Sequence, residues 1–286
     1  MKYDCIILGD GPAGITAAIY LKRANCNPLV ISKGESNLLK AEHVDNYYGF
    51  PEGISGKSLY ENGLKQAKEL SISIINDEVL NIEYDGKYKL ECVNDSFTSD
   101  VLILATGSKK KNPRIINLDK LSGKGISYCA ICDGFFYRKK KIGVVGSGIY
   151  ALHEYNILKN ITDDITLFTN GERIEFNSDS IHIMSKKIDK VIGEEFLEEI
   201  EFFDGTTEKL DGLFIASGSA STNDLALKLG VIIENNNITI NDKMETNMPG
   251  LYACGDATGG VLQISKAVYE GTIAGLEASK YIKKKK

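Results

Sequence analysis

Tyr3-Asp4-Cys5-Ile6-Ile7-Leu8-Gly9-Asp10-Gly11-Pro12-Ala13-Gly14 is the stretch that decides the fold. Tyr3 to Leu8 is an apolar strand, Gly9 to Gly14 a glycine turn, Ile15 to Ala24 an apolar-rich helix, and Pro28 to Ile31 a second strand. The glycines permit a tight turn, let the backbone approach a pyrophosphate, and let helix and strand pack closely. A phosphate would then lie at the positive end of the helix.

The pattern returns. Lys141-Ile142-Gly143-Val144-Val145-Gly146-Ser147-Gly148-Ile149-Tyr150-Ala151 is again strand, glycine turn and helix start. Each copy is followed by a hairpin with an Asp-Gly turn, at Tyr84-Asp85-Gly86-Lys87 and at Phe203-Asp204-Gly205-Thr206. Each hairpin leads into a buried strand and a small-residue turn, Asp100 to Ser108 and Asp211 to Ser219. Landmarks recurring in one order indicate an internal duplication. Gly250 to Asp256 reads as a further short strand, and Leu262 to Tyr281 has helical apolar spacing. These elements would complete the first copy. The expected fold is therefore α/β, with two Rossmann-like lobes, the second inserted in the first. Residues 1–112 and 243–286 form the first lobe in this reading, and 113–242 the second.

The chain has 286 residues, 43% of them hydrophobic, which suffices for a substantial core. Its net charge of −5 argues against a general nucleic-acid binder. No apolar run is long enough to span a bilayer. Met1-Lys2-Tyr3-Asp4 passes straight into a strand without a basic and then apolar leader, so a cytoplasmic location is expected. Of six cysteines, Cys5, Cys26, Cys92 and Cys254 lie in apolar or strand-like stretches and read as buried free thiols. His43, His153 and His182 are not at ligand spacing, so no metal site is expected.

Cys129-Ala130-Ile131-Cys132-Asp133 lies between the two glycine turns. A dithiol followed at once by a carboxylate, beside a dinucleotide-binding lobe, points to a flavin-linked disulfide reductase. Static bridging or simple burial is the plainer reading of the pair.

The motifs Gly9 to Gly14, Asp45-Asn46 with Gly49-Phe50-Pro51, Ala105-Thr106-Gly107, Cys129 to Tyr137, and Cys254-Gly255-Asp256-Ala257 together resemble the low-molecular-weight thioredoxin reductases, nearly end to end. The resemblance implies lobes of the FAD/NAD(P)-binding, three-layer ββα type, and a homodimer with one FAD per subunit. The FAD positions it implies begin with Gly9, Gly11, Pro12, Ala13 and Gly14, then Ser32, Glu35 and Asn37, then Asn46 and Val79. They continue with Ala105, Thr106 and Gly107, and end with Gly255, Asp256, Gln263 and Ile264. Cys132 would face the flavin, and Cys129 would attack the thioredoxin disulfide as a thiolate. Asp133 is either the acid/base for the leaving thiol or a helix cap. One lobe would rotate against the other, with hinges near Pro113 and near Lys243 to Thr246. Tyr47 and Tyr48 are either flavin neighbours or ordinary packing.

The chain departs from the ordinary pattern where nicotinamide would bind. Family members end the strand after the second glycine turn in a histidine and paired arginines. Here Asp164 to Phe168 leads into Thr169-Asn170-Gly171-Glu172-Arg173, with one arginine beside a glutamate. A phosphate bearing close to two charges needs guanidinium or ammonium partners. No acid at the strand tip would select NADH through the ribose, and Tyr150 places bulk near the turn. The stretch between Gly171 and Gly218 is also short. These departures are similar to the ferredoxin-dependent flavin thioredoxin reductases, which implies electrons from reduced ferredoxin. The alternatives are an NAD(P)H-dependent thioredoxin reductase with an atypical nucleotide site, and a flavin-binding redox sensor without turnover. A basic docking face for an acidic ferredoxin has three candidates: Lys109 to Lys111 with Arg114, Arg138 to Lys141, and Lys283 to Lys286. In the first lobe, Ile31-Ser32-Lys33 offers no acid for the adenosine ribose of FAD, leaving Ser32 and Glu35 as candidates.

Overall fold

A computed structural model describes residues 3–34, 36–107, 113–174, 176–178 and 181–286. Two units emerge, one of Met1–Lys109 with Ser221–Lys286 and one of Lys110–Ala220. The first opens with β1 (Cys5–Leu8), α1 (Pro12–Arg23), β2 (Pro28–Ser32), α2 (Gly56–Glu69) and β3 (Ser73–Asn76). An antiparallel sheet of β4 (Val79–Tyr84), β5 (Tyr88–Cys92) and β6 (Ser96–Ser99) follows, and then β7 (Leu102–Leu104). The second unit holds β8 (Ile126–Ser127), α3 (Ala130–Asp133), β9 (Ile142–Val145), α4 (Ile149–Lys159), β10 (Ile165–Phe168) and β11 (Ile183–Met184). Its own antiparallel sheet is β12 (Ile188–Ile192), β13 (Glu199–Phe202) and β14 (Thr207–Lys209), followed by β15 (Gly212–Ile215). The chain then returns with α5 (Thr222–Lys228), β16 (Ile233–Glu234), β17 (Asn237–Ile238), β18 (Leu251–Ala253) and α6 (Ile264–Lys285).

The duplication is visible in the sheets. The first unit's parallel sheet runs β18-β7-β1-β2-β3, and the second's runs β8-β15-β9-β10-β11. The closures match bond for bond. Gly9 N donates to Ile31 O and Gly146 N to Phe168 O, each at 2.9 Å; Ala105 N donates to Leu8 O and Ala216 N to Val145 O, each at 2.8 Å. Both Asp-Gly hairpins form, with Gly86 and Gly205 at positive φ. The central strands are buried on both faces, which is why they read as unbroken apolar runs.

The chain re-enters the first unit at Ser221 and not near residue 243. A capping box formed by Ser221 and Asp224 starts α5. Lys228 Nζ then donates to Leu80 O (3.1 Å), tying α5 to β4. Asn223 Nδ2 likewise donates to Asn236 O (2.8 Å). Short polar helices of this kind carry little periodic signal, so their allegiance is decided by such contacts.

The pairing of α1 with α6 sets the shape of the first unit's core. Gly271 and Gly275 of α6 face α1 so closely that a Cβ on them would lie 2.2 Å from Ala13 O and 2.7 Å from Ala17 O. Ala17, Ala18, Ala274 and Ala278 fill the rest of the contact and are fully buried. No helix among the described residues is long and apolar enough to cross a membrane.

Candidate active site

The first glycine turn is built for an anion. Helix α1 has Gly11 as N-cap, Pro12 in its first turn, no side-chain cap and no acidic residue in that turn. Its leading N–H groups are therefore left for an outside acceptor. Gly9, at φ 104°, could not carry a side chain, because a Cβ would lie 2.4 Å from Ala105 O. A Cβ on Gly14 would lie 1.9 Å from Gly9 O. Gly11 is different: the nearest atom to its Cβ position is Ser36 Oγ at 3.5 Å, which leaves room above the turn. This cradle fits the pyrophosphate of FAD.

Several sequence-distant positions converge on the same unit. Asn46 Nδ2 donates to Gln263 Oε1 (3.1 Å), and Gln263 is the N-cap of α6, immediately before Ile264. Thr106 Oγ1 is hydrogen bonded to the Thr222 hydroxyl, which also donates to Gly107 O (3.3 Å). Gly107 has positive φ, and its Cβ position lies 3.8 Å from Asn37 Nδ2. Gly255 and Asp256 open a short 3-10 turn after β18. That turn is clamped by the buried Glu270, whose Oε2 accepts from Gly255 N (2.8 Å), Thr258 Oγ1 (2.9 Å) and Lys266 Nζ (3.0 Å). Neither Glu270 nor Lys266 stood out in the sequence. Val79 begins β4 and is buried. Ser32 Oγ accepts from Gly34 N (3.1 Å), while Glu35 lies outside the described residues. Tyr48 is 97% exposed in this chain and does not pack.

The second glycine turn has the same frame with different contents. A Cβ on Gly146 would lie 2.3 Å from Ala216 O, and Gly148 caps α4 without a side-chain bond. Ser147 Oγ, however, donates to Glu172 Oε2 (2.7 Å), so a carboxylate is bonded into the turn. Tyr150 is 1% exposed and shares the buried face of α4 with Ala151, Glu154, Tyr155 and Leu158, so it is interior packing and no surface obstruction. One cation went unnoticed in the sequence. The Lys187 stem passes beside Gly171, 2.7 Å from its Cβ position.

Cys129 and Cys132 form a disulfide with Cα atoms 5.3 Å apart. Cys129 is the N-cap of α3, and its Sγ accepts from Cys132 N (3.2 Å). It is buried, whereas Cys132 is exposed. Asp133 makes no side-chain cap bond; its Oδ2 accepts from Ser127 Oγ (2.7 Å). Ser127 Oγ in turn accepts from Cys129 N (3.1 Å), so one hydroxyl links the cysteine backbone to the carboxylate. Behind the pair, Glu154 Oε2 accepts from Ala130 N (2.9 Å), although Glu154 is only 2% exposed. Nothing in its type marked it, since α4 also carries His153, Asn156 and Lys159. The other cysteines, Cys5, Cys26, Cys92 and Cys254, are free and buried. Burial pushes the thiols of all four up, that of Cys92 to about 12, which makes them poor nucleophiles.

Of the basic runs, Lys109 to Lys111 lies outside the described residues. Arg138, Lys139 and Lys140 are exposed, with Arg138 over the Phe135 ring at 5.0 Å. At the C-terminal run, Lys286 pairs with Asp4 (2.9 Å) and Lys285 with Asp100 (3.6 Å).

Comparison with known proteins agrees with this geometry. The family model described as pyridine nucleotide-disulphide oxidoreductase matches residues 3–271. Thioredoxin reductase of Listeria innocua is 30% identical over 99% of this chain and 95% of its own length. That of Buchnera aphidicola is 33% identical over 99% and 95%. Among solved structures, the atypical thioredoxin reductase TRi from Desulfovibrio vulgaris Hildenborough is 35% identical, with TM-score 0.93 over 99% of both chains. A ferredoxin-flavin thioredoxin reductase from Clostridium acetobutylicum is 29% identical, with TM-score 0.75 over 99% of both chains. With a family match along most of its length and such relatives end to end, the chain belongs to the pyridine nucleotide-disulphide oxidoreductase family, among the FAD-dependent thioredoxin reductases.

Proposed function

We propose that this thioredoxin reductase takes its electrons from reduced ferredoxin and not from a nicotinamide coenzyme. The observation that carries the reading is the Glu172 carboxylate hydrogen bonded to Ser147 in the second glycine turn. A pyrophosphate approaching that turn meets a like charge, which costs roughly 1 kcal/mol at 4 Å in water and more where water is excluded. The similarity to the Clostridium acetobutylicum ferredoxin-flavin enzyme supports the same reading. A second reading, reduction by NADPH, has one observation in its favour: Lys187 stands beside Gly171 and could meet a phosphate.

FAD, when bound, supplies the chemistry that joins a one-electron donor to a two-electron disulfide. In our assignment Gly9 to Gly14 and the α1 N-terminus hold its pyrophosphate. Thr106, Asp256 and the linked Asn46 and Gln263 orient the rest. Two electrons and two protons open the Cys129–Cys132 bond. The Cys129 thiolate attacks one sulfur of the thioredoxin disulfide, and the leaving sulfur departs as a thiol. Cys132 then attacks Cys129 in the mixed disulfide, re-forming the bridge and releasing reduced thioredoxin. Asp133, steadied by Ser127, carries the proton to the leaving thiol. Since Cys129 is 3% exposed, it must emerge before it can meet a protein partner. Exposed Ile131, Phe135 and Phe136 offer that partner an apolar contact, and Arg138, Lys139 and Lys140 a basic one for ferredoxin. The proposed setting is the cytoplasm, where buried free thiols persist.

The test is anaerobic addition of NADPH, NADH or reduced ferredoxin to the yellow holoprotein. Ferredoxin is expected to bleach the flavin and to support thioredoxin reduction, less effectively as salt is raised. Bleaching by micromolar NADPH or NADH within seconds would reverse the assignment. Bound FAD with no thioredoxin reduction from any donor would make the protein a sensor.

We also infer a homodimer. Val261, Leu262, Tyr269 and Leu276, on α6 and the loop before it, are exposed apolar residues suited to a second copy. Sedimentation is expected to give a dimer for the parent chain and a monomer for the Tyr269→Glu, Leu276→Glu double variant. A parent that sediments as a monomer at micromolar concentration rejects the inference.

A further inference from the structure

Strand β2 ends without the carboxylate that a fold of this kind places against the adenosine ribose of its dinucleotide. Two of the described residues at its tip have partners of their own. Ser32 Oγ accepts from Gly34 N, and Lys33 Nζ is paired with Glu78 Oε2 at 2.8 Å. A ribose diol next to a buried protein surface still needs an acceptor for its hydroxyl protons.

The glycine turn itself supplies one. Asp10 follows Gly9, whose N–H is bonded to Ile31 O near the end of β2. The Asp10 side chain is 6% exposed, and its Oδ2 accepts from Tyr60 Oη at 2.5 Å. Tyr60, on α2, brings the same hydroxyl to 4.0 Å from the Cβ position of Gly34, just past β2. Asp10, Tyr60 and the β2 tip therefore surround one spot beside the pyrophosphate cradle. We propose that Asp10, oriented by Tyr60, accepts the adenosine ribose hydroxyls of FAD.

The pairing also answers an objection. A bare carboxylate beside a pyrophosphate would repel it. Burial and the neighbouring Asp10 push the Tyr60 hydroxyl well up, so it stays protonated and donates, spreading the Asp10 charge. The placement does not depend on which electron donor the enzyme uses. It concerns retention of the cofactor only.

The test uses the full-length chain, stripped of flavin and reloaded with FAD or with FAD carrying 2′-deoxyadenosine or 3′-deoxyadenosine. Affinity is read from quenching of flavin fluorescence. The parent chain should bind at least one deoxy form about tenfold or more weakly than FAD, the value of a hydrogen bond to a charged acceptor. Asp10→Asn should bind FAD about tenfold more weakly and lose the discrimination against that deoxy form. Tyr60→Phe should lose part of it. A general loss of folding weakens all ligands together and leaves the ratio intact, so the ratio decides. Discrimination that survives in Asp10→Asn, or that vanishes in Glu78→Gln instead, overturns the proposal.

Discussion

Cys132→Ser is expected to lower thioredoxin turnover by roughly 10³-fold or more while leaving FAD bound, because no bridge can form to carry the electron pair. Cys129→Ser should be equally inactive for the same reason. The two variants part company in what they trap. With Cys129 as attacking sulfur, Cys132→Ser should displace thionitrobenzoate from a thioredoxin that lacks its resolving cysteine and carries that group on its remaining one, accumulating a mixed disulfide, and Cys129→Ser should do so far more slowly. The starting geometry makes this a sharp comparison, since Cys132 is the exposed sulfur and Cys129 is buried as the N-cap of α3. If only Cys129→Ser traps the partner, the exposed sulfur is the nucleophile and the two roles exchange. Mass spectrometry of the non-reduced complex distinguishes the outcomes. Buried Cys92 and Cys254, with thiols held high by desolvation, should not substitute in either variant.

The second large effect is structural. Gly271→Val should cost about 2–3 kcal/mol, the usual penalty for forcing extra carbon into a packed core, and a backbone clash sets a floor under it. The clash is with Ala13 O, 2.2 Å from the first added carbon, so neither partner can yield by turning a side chain. Ala13 belongs to the anion cradle at the start of α1. The displacement is therefore transmitted to the cofactor. We expect a lower melting temperature together with a fall in FAD content on purification. Gly63→Ala serves as the control, because the nearest atom to its Cβ position is Ile15 Cγ2 at 3.8 Å. Equal FAD content in Gly271→Val and the parent would show that α6 does not support the cradle.

Both glycine turns, both Asp-Gly hairpins and the returning strand were legible in the chain because each rests on local rules. Only glycine relieves the contact between Gly14 and Gly9 O, and a positive φ at Gly86 or Gly205 leaves the same mark wherever it occurs. The dithiol was legible for a similar reason, its two cysteines lying within one turn of chain. What escaped was non-local or polar. The re-entry at Ser221 depends on Lys228 reaching Leu80, a contact across 148 positions. Glu154 and Glu270 look like surface residues by type and become informative only once their backbone partners are known. Tyr150 was misjudged because a bulky side chain after a glycine turn can point into the core as readily as over the turn.

The first unit's parallel sheet takes its outer strand, β18, from near the end of the chain, and α1 finds its partner in α6. On the ribosome, that half keeps an uncovered edge until β18 emerges, while the contiguous inserted half already has all five strands of its parallel sheet. Maturation is thus ordered from the middle outward, and loading of the coenzyme waits for β18 and α6 to emerge.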